Sequence, residues 1–337
     1  MIKGHGDDIY QYSGITSNFS SNVCNNFCHM GLYRHLSAQL PAITNYPEAA
    51  AESLEKELER QLCLEKGEVM VTNGATEAIY LVAQVYSGSV SAVIAPTFSE
   101  YADACHIHHH TVKWLHGIED LAEAPKLLWL CNPNNPTGQV VPLKSLLSAI
   151  ASHPDTLFVI DCSYAPFTEQ PTPSAKQAVA YPNMLLLHSF TKRFSIPGLR
   201  LGYITGNSGV LEKIRPFRMP WAVNQIAISA GHYLLEHQCD YPIDTASVKT
   251  EVDYLTQQLT AMGGFVVSPT DCQFMLVHCQ NGTAASLKEF LVRKCGILIR
   301  NADNFKGLDH SYFRIAVQKH DENEALIKGI EQWKNTL

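Results

Sequence analysis

Short apolar runs recur through the first part of this chain, and each empties into residues that carry chemistry. Val69-Met-Val-Thr72 turns through Asn73-Gly74 into an apolar helix. Val90 to Ala95 stops at Pro96, with Phe98 and Tyr101 just beyond. Lys126 to Cys131 ends in Asn132-Pro-Asn-Asn-Pro-Thr-Gly138, and Thr156 to Asp161 closes on a carboxylate with Tyr164 soon after. Met184 to Leu187 ends in Ser189, Thr191 and Lys192. Such runs read as buried strands, and helical stretches lie between most of them. This alternation implies an α/β fold whose central sheet is mainly parallel, with a site at the carboxyl ends of its strands.

A chain of 337 residues suits one large and one smaller domain. Apolar residues make up 46% and charged residues 17%, enough for a sizeable core. The net charge of −7 argues against a nucleic-acid surface, which needs a basic face. Met1 to Tyr10 lacks the apolar core of a secretory signal and no later run approaches a membrane span, so a cytoplasmic protein is expected. The 10 cysteines show no C-x-x-C pairing and read as reduced thiols.

Each strand end admits a functional and a plain reading. Lys192, beside hydroxyls and with Arg193 and Arg200 close by, can form a Schiff base with a carbonyl cofactor whose phosphate the neighbours hold, or can sit on a solvated basic loop. The Gly74-Ala75-Thr76 helix start can bind an anion through free N–H groups, or can be an ordinary capped terminus. Asp161 at a buried strand end is costly unless paired or hydrogen-bonded. The Asn-Pro loop aims amides back over its strand end. His106, His108, His109 and His110 read as a polar edge, since adjacent histidines alone rarely build a metal site.

Residues 1–45 read as an extended arm with a short helix around Gly31 to Leu40; His5-Gly6 and Asn18 to Asn22 either line a ligand site or solvate a loop. Leu54, Leu58 and Leu62 repeat at helical spacing within Pro47 to Leu64. The large domain is expected over 46–240. Residues 241–337 form a smaller α+β domain, in which Phe265, Gln273, Gly296 and Tyr312 open apolar runs and a helix closes the chain from Gln318.

The ordered set Asn73-Gly-Ala-Thr76, Pro96 to Tyr101, Asn132 to Gly138, Asp161 with Tyr164, Ser189-Phe-Thr-Lys192, Arg200 and Arg314 resembles the fold type I pyridoxal-phosphate enzymes of the class I/II aminotransferase group. The likeness spans Tyr46 to Arg314 and implies the aspartate aminotransferase-like fold, an enzyme, and pyridoxal 5'-phosphate as cofactor. By that resemblance Asp161 keeps the ring nitrogen protonated, Asn135 and Tyr164 serve the phenolate oxygen, and Tyr101 stacks on the ring. Gly74, Ala75, Thr76, Ser189, Thr191 and Arg200 would hold the phosphate. Lys192 would carry the cofactor and then act as general base or acid. Tyr46 would reach the phosphate site of a neighbouring subunit, implying a homodimer. One departure is Asp161-Cys-Ser-Tyr164, where the family commonly has Asp-Glu-Ala-Tyr.

Within that group the chain resembles the threonine-phosphate decarboxylases of cobalamin synthesis and the histidinol-phosphate aminotransferases. Likeness to the former is the greater, and implies His5, Gly6, Asn22, Asn135, Arg300 and Arg314 as substrate contacts for a small phosphorylated L-amino acid. Holding the substrate carboxylate in the ring plane favours transamination, and turning it upright favours decarboxylation. A regulator built on the same fold would add a DNA-binding segment, and neither a helix-turn-helix nor a basic segment precedes Tyr46.

Overall fold

The computed structural model describes residues 7–23, 27–121 and 124–337. Its strands are β1 (Ser17–Asn18), β2 (Val69–Thr72), β3 (Val90–Ile94), β4 (Thr111–Leu115), β5 (Leu127–Cys131), β6 (Leu157–Asp161), β7 (Met184–Ser189), β8 (Gly202–Gly206), β9 (Phe265–Val267), β10 (Phe274–Cys279), β11 (Ile297–Leu298), β12 (Arg300–Asn301) and β13 (Tyr312–Ala316). A seven-stranded sheet runs β2-β8-β7-β6-β5-β3-β4. Only β8 runs against its neighbours β2 and β7; the others are parallel, as the α/β alternation implies.

The apolar runs become strands because every residue of β2, β5 and β6 is buried, with helices covering the sheet. Trp129 and Phe158 are fully buried. The helix Glu52–Leu62 packs through Leu54 and Leu58, each buried leucine contributing roughly 2 kcal/mol. Strands β4 and β8 are additional to the expected set. Thr111-Val-Lys-Trp-Leu115 is a part-exposed edge whose mixed pattern resembles a polar loop, and Gly202-Tyr-Ile-Thr-Gly206 is bounded by glycines that read as turns.

A second, antiparallel sheet runs β12-β13-β10-β9. The arm returns to it: β1 pairs in parallel with β11, Ser17 opposite Ile297. Phe19 N–H donates to the Leu298 carbonyl at 2.8 Å, and Ala316 N–H donates to the Phe19 carbonyl at 2.9 Å. Arm and second sheet thereby share a core around Phe19, Phe313 and Ile315.

His110 departs from the polar edge expected of its cluster. It is buried, with Ser91 Oγ at 2.8 Å from Nδ1 and the Ala83 carbonyl at 2.8 Å from Nε2. Among the described residues no histidine, cysteine or carboxylate group is arranged to hold a metal, cysteines are unpaired, and no helix is long and apolar enough to cross a membrane.

Candidate active site

Strands β2, β5, β6 and β7 deliver their terminal residues to one edge of the large sheet, where a cavity of about 300 Å³ opens toward β12 and β13. Lys192 lies in a short helical turn, Phe190–Arg193, directly after β7. Burial holds its ammonium down to about 8, Arg314 and Arg200 push the same way, and Asp7 and Asp161 oppose them. Its amine lies 6.0 Å from the centre of the Tyr164 ring.

Asp161 closes β6 and is held rigidly. Its Oδ2 accepts from the Tyr101 hydroxyl at 2.7 Å and its Oδ1 from the Ser163 N–H at 2.9 Å. Tyr101 is 1% exposed and its ring lies against Trp129, centroids 5.8 Å apart and planes 13° apart. Half-buried Phe98 meets Tyr101 edge-on and lines the same cavity. Tyr164 packs edge-on against Phe274, its hydroxyl accepts from Asn22 Nδ2 at 3.2 Å, and burial raises its ionisation well above the ordinary phenol range.

Ala75 and Thr76 in the first turn of the helix Gly74–Val85 face the cavity together with Ser189, Thr191 and Arg200. Gly74 has φ 74°, and a Cβ there would stand 2.8 Å from Arg200 Nη2, so only glycine lets the guanidinium lie against the helix start. Thr191 Oγ1 is buried without a hydrogen-bond partner among the described residues. Free N–H groups, a guanidinium and an unpartnered hydroxyl fit a phosphate group.

The opposite wall is cationic. Arg300 on β12 and Arg314 on β13 face each other in register, 8% and 4% exposed. Arg314 donates to Asn135 Oδ1 and to the Ser20 carbonyl, while its Nε is buried without a partner among the described residues. Burial lowers its pKa to about 10, and Arg300 adds to that. Arg300 donates to Asn304 Oδ1 at 2.7 Å and lies over the Phe305 ring at 5.5 Å.

Of the sequence-derived candidates, Asn22, Ala75, Thr76, Tyr101, Asn135, Asp161, Tyr164, Ser189, Thr191, Lys192, Arg200, Arg300 and Arg314 line this one cavity, and Gly74 backs it. Tyr46 does not: it is 84% exposed and packs on Trp221, centroids 5.2 Å apart. His5 and Gly6 lie outside the described residues. Ser20, within the Asn18 to Asn22 segment, also lines the cavity, as do Asp7, Asn304 and Phe305, which nothing in the unpatterned arm or the 302–311 turn marks in the sequence. In the Asn-Pro loop the amides divide their work. Asn134 donates to the Pro96 carbonyl at 2.8 Å and accepts from Thr97 Oγ1 at 2.8 Å, and Asn132 Oδ1 accepts from Val140's neighbour Val141 N–H at 2.8 Å, leaving Asn135 to the cleft.

A lysine with a depressed pKa between an anion cradle and an arginine pair defines an enzyme cleft on a two-sheet α/β scaffold. The chain belongs to the aminotransferase class I and II family, whose model matches residues 26–330. It is 29% identical to a threonine-phosphate decarboxylase of Salmonella typhimurium, across 93% of this chain and 89% of that one. It is 30% identical to a histidinol-phosphate aminotransferase of Symbiobacterium thermophilum, across 87% and 84%. A solved L-threonine-O-3-phosphate decarboxylase from Porphyromonas gingivalis superposes with a TM-score of 0.92 at 34% identity, covering 95% of this chain and 99% of that one. These likenesses establish the aspartate aminotransferase-like fold.

Proposed function

We propose that the chain binds pyridoxal 5'-phosphate and decarboxylates a small phosphorylated L-amino acid, with L-threonine O-3-phosphate as substrate. The observation that carries the substrate class is the Arg300–Arg314 pair. Two buried guanidinium groups opposite each other repel, and an anionic ligand relieves that repulsion while using their paired forks. Likeness to the Porphyromonas gingivalis enzyme supports the choice of reaction.

Pyridoxal 5'-phosphate, when bound, supplies an electron sink for a bond at the substrate Cα. Asp161, fixed by Tyr101 and Ser163, would keep a proton on the ring nitrogen, and Tyr164 with Asn135 would donate to the ring oxygen. The Gly74-Ala75-Thr76 helix start, Ser189, Thr191 and Arg200 would hold the phosphate. Phe98 is the ring we assign to stacking, because Tyr101, although it also lines the cavity, has its ring against Trp129 and its hydroxyl on Asp161. Lys192, with its depressed pKa, would carry the cofactor and then move a proton at Cα. Asn22, Asn135, Arg300 and Arg314 would orient the substrate carboxylate and phosphate, and His5 and Gly6 would complete that end.

A second copy of the chain would cover the exposed apolar side chains Met30, Ile43, Met219 and Trp221, and would receive Tyr46 at its phosphate site. The histidinol-phosphate aminotransferase reaction is the second reading, favoured by the 30% identical relative. The assay is direct. Protein loaded with cofactor and given L-threonine O-3-phosphate without a keto acid should release CO2 and (R)-1-amino-2-propanol phosphate, and Lys192→Ala should not. No CO2, with glutamate-dependent amino transfer to imidazole acetol phosphate, would replace decarboxylation by the second reading.

A further inference from the structure

The proposed chemistry uses Asp161 and leaves a second carboxylate of the cleft, Asp7, without a role. Asp7 lines the same cavity as Lys192, Arg300 and Arg314. Its backbone is left-handed, φ 62°, which costs a non-glycine residue about 1 kcal/mol unless its surroundings hold it. They do hold it. Asn18 Nδ2 donates to Asp7 Oδ1 at 2.7 Å, while Asn18 Oδ1 accepts the Ser20 and Ser21 N–H groups at 3.0 and 3.3 Å. One residue on, Asp8 pairs with Lys288 at 2.6 Å, and that ammonium lies 5.1 Å from the centre of the Tyr12 ring.

The arm is therefore held at Asp7 and at Asp8 by contacts that do not need the Asp7 charge. A neutral amide oxygen at position 7 could accept from Asn18 in the same geometry, though more weakly. What the charge does is act on the cations across the cavity: it favours the charged forms of both Lys192 and Arg314, against the larger effect of burial. A ligand anion seated on the arginine pair would feel the same carboxylate with the opposite sign.

We propose that Asp7 is a specificity-determining residue that sets the charge of the ligand accepted by the Arg300–Arg314 pair, offsetting part of its positive charge and disfavouring simple polyanions such as free phosphate. This rests on the reading of that pair as the ligand's anion site. Asp161 is committed to Tyr101 and Ser163, and Asp8 and Asp303, which act on Arg300, do not line the cavity, so without Asp7 the two buried arginines and the lysine would hold any polyanion. With Asp7 in place, free phosphate is a poor competitor, and full affinity requires a ligand whose ammonium group compensates the built-in charge.

The test is isothermal titration of the cofactor-loaded enzyme with inorganic phosphate, comparing wild type, Asp7→Asn, Asp7→Ser and Asp7→Glu. Removing one charge from the cavity lining should lower the phosphate Kd roughly three- to tenfold in Asp7→Asn and Asp7→Ser. Asp7→Glu should stay near wild type, and the gap should shrink in about 0.5 M salt. A purely structural role would move the thermal midpoint and leave the Kd difference at zero. An unchanged or raised Kd in both neutral variants, or no measurable phosphate binding by any of the proteins, overturns the proposal. Turnover of L-threonine O-3-phosphate is scored separately: no CO2 release beside an intact Kd shift removes the decarboxylase reading and leaves the role of Asp7 standing.

Discussion

At the residue scale, Lys192 is a base made by its surroundings. A solvated lysine is protonated until about pH 10.4, whereas burial, with Arg314 and Arg200 nearby, brings this one to about 8. The neutral amine fraction therefore rises through pH 8. Attachment of the aldehyde cofactor to apoprotein should speed up with pH and level off above about pH 8, as followed by visible absorbance; a rate still climbing at pH 10 would mean a solvated amine. The sign for stability follows. The depressed pKa destabilises the folded state fully below about pH 8, and that cost fades as pH rises toward the unfolded value, so apoprotein should gain stability across this window. Gly74 belongs to the same scale. In Gly74→Ala the new methyl meets Arg200 and the backbone keeps φ 74°; cofactor Kd should rise about tenfold or more with a loss of roughly 1–2 kcal/mol in stability, read by titration and thermal melting.

At the element scale the Asn132 to Gly138 loop joins the two sheets. The Gly138 carbonyl accepts from the Asp271 N–H at 3.0 Å, and Asp271 Oδ2 accepts from the Val140 N–H at 3.0 Å. With φ 75°, Gly138 brings its backbone so close that a Cβ would stand 1.9 Å from Thr270 Oγ1 and 2.9 Å from the Phe274 carbonyl oxygen. Arg314 reaches Asn135 across this seam. Gly138→Ala should therefore lower kcat more than it lowers cofactor affinity, because the seam is displaced while the proposed phosphate cradle on the helix Gly74–Val85 is not. Steady-state kinetics beside a cofactor titration separate the two, and equal losses would show that the loop supports the cradle as well. The loop's unusual Asn and Pro content is legible in the sequence, but which asparagine faces the cleft is not. Asn132, Asn134 and Asn135 are equivalent amides until the fold gives two of them backbone partners.

At the scale of the whole molecule, Tyr46, Met219 and Trp221 are 84%, 74% and 51% exposed on one chain. In the proposed homodimer a second copy would cover these exposed side chains, and light scattering after gel filtration should give twice the chain mass. Trp221→Glu should shift that mass toward the monomer and weaken cofactor binding together, since Tyr46 packs on Trp221; a monomeric wild type would end the dimer reading.

The order of strand ends, and the chemistry at each, was determined by the sequence alone. Buried parallel strands must be nearly continuous apolar runs, and their carboxyl ends share one sheet edge, so Asp161, Lys192 and the Gly74 helix start could be brought together without coordinates. The tertiary structure decided what periodicity does not encode. It reversed β8 within the sheet, laid the Tyr101 ring against Trp129 with its hydroxyl on Asp161 beside Phe98 at the cavity, and set Arg300 opposite Arg314. It also brought Asp7 into the cleft, through the pairing of β1 with β11 and one side-chain bond from Asn18. Those outcomes rest on contacts between segments distant along the chain, where an unpatterned arm carries no local signal and the position of a side chain depends on what packs against it.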